Sequence, residues 1–216
     1  MEVRPLALNV SPSAGGVSAE YIVPENPACI VTLAHGAGAG MNHSFMVSLA
    51  KALADSGVAS LRFNFPFIEQ KKRRPDLPAV AHKTIEAAVV EVKKSFPKLP
   101  LFLSGKSFGG RMSSQFLAAR PDKDVKGIIF FGFPLHPAGK PATERADHLK
   151  NIAVPMLFLQ GTRDELATLE LIEQVCSSLK TATLVEIEGA DHAFKAGKKD
   201  IIPVLVEEAK KWMENK

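Results

Sequence analysis

Short, nearly unbroken apolar runs recur along this chain, and longer stretches with apolar residues three and four apart lie between them. No other feature restricts the fold as strongly. Cys29–Ala34, Ala59–Phe63, Leu101–Leu103, Gly127–Phe131 and Met156–Leu159 read as buried strands, with Thr183–Ile187 as another. Met46, Leu49, Ala50 and Leu53 form an amphipathic stripe, and Gly57 is placed to end that helix. Ile85, Ala88, Val89, Val92 and Phe96 repeat the pattern, as do Leu169, Ile172 and Cys176. Ile202, Leu205, Val206, Ala209 and Met213 close the chain with a further stripe. Strands that are apolar on both faces, alternating with helices, predict an α/β fold: a mostly parallel sheet covered by helices on both faces. Pro5–Val10 and Val17–Val23 lack an intervening helix and predict an antiparallel pair at the sheet edge.

The sequence has 216 residues, of which 46% are hydrophobic and 23% charged, so a packed core is expected rather than a disordered chain. One domain spanning residues 1–216 is expected. No apolar run reaches the roughly 20 residues that cross a bilayer, and Met1–Pro5 does not resemble a leader. The two cysteines, Cys29 and Cys176, lie far apart outside any C-x-x-C pair. They read as buried thiols of a cytoplasmic protein. The formal charge is +4, and one basic run, Lys71–Arg74, contributes much of the excess. Without interleaved aromatics it reads as a solvated loop, so no nucleic acid or membrane partner is expected.

Gly105-Lys106-Ser107-Phe108-Gly109-Gly110 follows a predicted strand and opens the helical stretch Arg111–Arg120. This is the context of a nucleophile elbow, G-x-S-x-G, in which a sharp strand-to-helix turn exposes the serine. The same residues imitate the end of a phosphate-binding loop, but the first glycine of that motif would fall on Pro100. Asp164 follows the strand Met156–Leu159, and His192 is the only histidine after it. Serine, acid and histidine in that chain order predict a triad in which Ser107 attacks, His192 takes its proton and Asp164 orients the imidazole. Glu165 and Asp191 are the competing acids. His35-Gly36-Ala37-Gly38-Ala39-Gly40 ends the strand Cys29–Ala34 and offers free backbone N–H groups. Ala37, with Gly38 as its alternative, and Phe108 are the expected oxyanion donors. A dinucleotide fingerprint starting at Gly36 or Gly38 would need glycine at Met41 or His43. His35 reads as support for the turn rather than as a base.

These motifs, together with Met41-Asn42, Leu61-Arg62-Phe63, Arg111, Pro134-Leu135-His136-Pro137 and the Gly161–Asp164 turn, resemble the α/β-hydrolase superfamily. Within it, the chain is most similar to the small hydrolase-like family that includes a testis-expressed protein and a subunit of the nonspecific-lethal histone acetyltransferase complex. In outline it is similar to dienelactone hydrolases, although Ser107 stands where those enzymes have cysteine. The resemblance implies an α/β-hydrolase fold without a cofactor or metal.

The expected activity is cleavage of a small-molecule ester through an acyl-enzyme. Some members of the resembling family act as scaffolds, so a non-catalytic binding protein is the alternative. Only Gly132–Ala153 separates two central strands where related folds carry a lid, which predicts a shallow mouth. Gly38, Phe65 and Leu135 are expected to contact substrate there, with Phe67, Phe108, Phe133 and Phe194 as further walls.

Overall fold

The computed structural model describes residues 1–216. In chain order the elements are β1 (Glu2–Ser11), β2 (Gly15–Val23), β3 (Cys29–Ala34), α1 (Ser44–Asp55), β4 (Val58–Phe63), α2 (Pro66–Glu69), α3 (Pro78–Ser95), β5 (Leu101–Lys106), α4 (Phe108–Ala119) and β6 (Val125–Phe131). A 3₁₀ segment, Glu144–Asn151, comes next, followed by β7 (Met156–Gly161), α5 (Leu169–Ser178), β8 (Ala182–Ile187) and α6 (Ile202–Met213). The strands form one sheet in the order β1-β2-β4-β3-β5-β6-β7-β8. β1 pairs antiparallel with β2, and β2 antiparallel with β4; every other pairing is parallel. This is the α/β-hydrolase fold that the alternating pattern and the motifs predicted.

The apolar strands are apolar throughout because both of their faces are covered. In β6, Ile128 and Phe130 join the core layer beneath α3, α4 and α5, whereas Ile129 and Phe131 join the layer beneath α1 and α6. β7 alternates in the same way, with Met156 and Phe158 on one side and Leu157 and Leu159 on the other. Cys29 and Cys176 are buried free thiols, one in each layer. Burial pushes them up to about 11 and about 12 respectively. No helix is long and apolar enough to cross a membrane.

Strand order is what positions the functional loops. From β3 the chain crosses to β4 on one side, then returns to place β5 on the other side of β3. The carboxyl ends of β3 and β5 therefore lie side by side, with Ala34 paired to Gly105, where the connections diverge and leave a crevice. β5 is longer than its apolar run implied. Ser104 and Gly105 pair with Leu33 and Ala34, carrying the strand up to the elbow itself. Lys71–Arg74 is exposed between α2 and α3, as a solvated loop should be.

Candidate active site

Ser107 lies between β5 and α4 with φ 51° and ψ −115°. A non-glycine residue in that region costs about 1–3 kcal/mol, a strain sustained only where surrounding structure dictates it. The neighbouring glycines supply that constraint. A β-carbon on Gly109 would sit 2.4 Å from the Ala34 carbonyl oxygen, and one on Gly105 would sit 2.4 Å from the Gly110 nitrogen. The turn can only be this tight because both positions lack side chains.

The loop after β7 brings Asp164 to the same crevice, and the loop after β8 brings His192. His192 Nε2 is 2.8 Å from Ser107 Oγ, and His192 Nδ1 is 2.7 Å from Asp164 Oδ2. An ionised carboxylate can only accept, so Nδ1 carries the proton and Nε2 turns its lone pair to the serine hydroxyl. The arrangement can therefore move a proton from Ser107 to the imidazole. Asp164 is 4% exposed and accepts two further bonds, from Gln160 Nε2 at 2.6 Å and from the Leu166 N–H at 2.8 Å. The rival acids are occupied elsewhere. Asp191 Oδ1 accepts from the N–H groups of Ala193 and Lys195, bracing its own loop, and Glu165 is exposed.

The turn after β3 is held from several sides. His35 is fully buried; its Nδ1 donates to the Gly36 carbonyl and its Nε2 accepts from the Phe65 N–H. Burial pushes this imidazole down to about 4, so it is neutral and structural, as its place before the glycines suggested. Arg62 donates to the Met41 carbonyl at 2.7 Å and pairs with Glu20, while Asn64 Oδ1 accepts from the Met41 N–H. Within this braced turn the N–H groups of Ala37 and Gly38 have no acceptor in the protein. The Phe108 N–H is at the first position of α4, among the donors that a helix leaves unpaired.

A cleft of about 400 Å³ opens over Ser107 and His192. Ala37 and Gly38 line it, but Phe65 and Leu135 do not. Both are fully buried, and Phe65 packs edge-on against His35, Phe63 and Phe108. Phe67 and Phe133 are buried too. Aromatic rings beside a strand end gain more from covering the core than from facing water, so the expected aromatic walls turned inward. The apolar walls are instead Ala39, Phe45, Met46, Leu166 and Ala193, with His43 and Lys106 beside them. Sequence reasoning also missed Gln160, which accepts from the Phe133 N–H while donating to Asp164. The available signal was a polar residue closing an otherwise apolar strand.

The chain matches the family described as alpha/beta hydrolase domain over residues 27–205, and it belongs to that family. Solved structures share its fold across almost its whole length. Dienelactone hydrolase from Anabaena variabilis superposes with a TM-score of 0.79 at 20% identity, covering 100% of this chain and 99% of that one. XC6422 from Xanthomonas campestris, described as an a/b serine hydrolase without lid, gives 0.75 at 23% identity over 98% and 95%. Est1E from Butyrivibrio proteoclasticus gives 0.74 at 17% identity over 98% of each. A Mycobacterium tuberculosis protein provisionally named a phosphoribosyl transferase is 27% identical over 184 residues. Those residues are 83% of this chain, which spans only 40% of that relative's length.

Proposed function

We propose that this protein is a serine hydrolase of small ester-type substrates, with residues 1–216 acting as one domain. Ser107 Oγ attacks the substrate carbonyl as His192 Nε2 takes its proton, and Asp164 stabilises the imidazolium that forms. The Ala37 and Phe108 N–H groups hold the oxyanion. Collapse of the tetrahedral intermediate breaks the ester C–O bond, and the proton on His192 passes to the departing alcohol. Water then adds to the acyl-enzyme by the same route in reverse roles, releasing the acid and restoring Ser107. The reading is carried by one observation: a strained serine in hydrogen-bond reach of an imidazole, at the floor of an open cleft. The similarity of fold to a dienelactone hydrolase and to a serine hydrolase without lid supports it.

A fluorophosphonate probe tests it directly. Labelling is expected at Ser107, and Ser107→Ala should abolish labelling and ester turnover while leaving the thermal transition in place. A folded wild-type protein that takes up no probe would instead be a binding protein on a hydrolase fold.

A further inference from the structure

We infer that Lys106 is a positioning residue whose half-buried side chain clamps the His192 loop to the nucleophile elbow. The inference rests on the serine-hydrolase reading and adds to it a residue outside the triad. Lys106 directly precedes Ser107, so one short piece of backbone carries both the nucleophile and the clamp. Its Nζ donates to the carbonyl of His192 itself and lies 5.1 Å from the centre of the Phe194 ring. It thus grips the loop at the histidine and again two residues later.

That loop needs holding. Phe194 adopts φ 61°, a conformation that ordinary side chains disfavour, and Gly189 adopts φ 71° at the other end. Gly132 shows how closely the parts converge. A β-carbon there would meet Lys106 Nζ at 3.1 Å, with Asp164 Oδ2 and His192 Nδ1 each at 3.6 Å. The ammonium therefore occupies a crowded space beside the Asp164–His192 pair. Asp164 and Asp191 are the carboxylates facing it, and neither forms an ion pair with it. A surface lysine would satisfy its charge in water. This one spends its conformational freedom on a backbone carbonyl and an aromatic face.

Burial pushes Lys106 down to about 8, against the pull of the two aspartates. Raising the pH through that value turns a charged hydrogen bond into a weaker neutral one and loosens the grip. A misplacement of about 1 Å in a catalytic group costs on the order of 10²-fold in rate, which sets the scale of the effect.

Lys106→Met and Lys106→Arg separate positioning from mere folding. Lys106→Met should lose about 10²-fold in kcat on a short-chain ester, with KM within about threefold. Wild type should show an alkaline decline near pH 8 that is absent from both variants. Lys106→Arg, charged throughout, should recover much of the lost kcat. Hydrogen exchange reads the clamp without reference to activity. The Asp191 and Phe194 amides, bonded to the Lys195 and Asp191 carbonyls, should exchange about tenfold faster in Lys106→Met. A Lys106→Met variant with kcat within about threefold of wild type, or with unchanged exchange at those amides, overturns the inference. So does a lowered thermal transition with kcat and alkaline limb intact. Should wild type neither label nor turn over esters, the hydrolase reading fails, and the amide exchange alone decides the clamp.

Discussion

Replacing Asp164 by asparagine changes one atom in a site where every neighbour is a donor. The carboxylate accepts from His192 Nδ1 and Gln160 Nε2 on one oxygen and from the Leu166 N–H on the other. Asparagine has one oxygen and one NH₂, so in either orientation its amide hydrogens oppose at least one of these donors. Leaving a buried donor without an acceptor costs about 1–3 kcal/mol, and Asp164→Asn should lose that much stability in urea or guanidinium titration. The effect on rate should be larger. Where the amide turns its NH₂ toward His192, the imidazole must accept at Nδ1 and carry its proton on Nε2, which is the wrong tautomer to receive the Ser107 proton. A loss of about 10³–10⁴ in kcat follows by analogy with serine proteases, equivalent to roughly 4–5.5 kcal/mol of barrier. Initial rates on p-nitrophenyl acetate, with both proteins shown folded, measure it. Asp191→Asn, which keeps the Oδ1 that accepts from the Ala193 and Lys195 N–H groups, is the control. A loss under about tenfold for Asp164→Asn, or an equal loss for Asp191→Asn, would refute the assignment of the acid.

Acid should weaken the fold through buried histidine. His35 is held from its ordinary 6.5 down to about 4 by burial, so the unfolded chain takes up a proton first as pH falls. Its stabilisation is complete above pH 6.5 and is lost as pH falls through about 4, a difference of roughly 3 kcal/mol. His148 is lowered to about 4, again mainly by burial, and acts in the same direction. Urea midpoints between pH 7 and pH 4 should fall more steeply for wild type than for His35→Gln, and equal slopes would count against this account. Substrate length gives a further check. The cleft of about 400 Å³ has no lid over it, so added methylenes largely forgo the roughly 0.8 kcal/mol each gains on burial. Acetyl to butyryl esters should outrun esters of ten or more carbons, and a kcat/KM rising steadily with chain length would contradict the shallow mouth.

The elements were legible in the sequence because they depend on local periodicity. An apolar run such as Met156–Leu159 must be covered on both faces wherever it lies, and an i, i+3, i+4 stripe such as that beginning at Met46 must face a core. The elbow at Ser107 was legible for a similar reason, since its glycines reflect a backbone conformation set within a few residues. Pairings between distant residues were not. Only the strand order brings the β3 turn beside the elbow. Only the packed loops give Asp164 its bond from Gln160, or place the Lys106 ammonium against the His192 carbonyl. The inward turn of Phe65 and Leu135 is of the same kind. Hydrophobicity states that a side chain gains by leaving water, but which surface receives it is decided by long-range contacts that exist only once the sheet has formed.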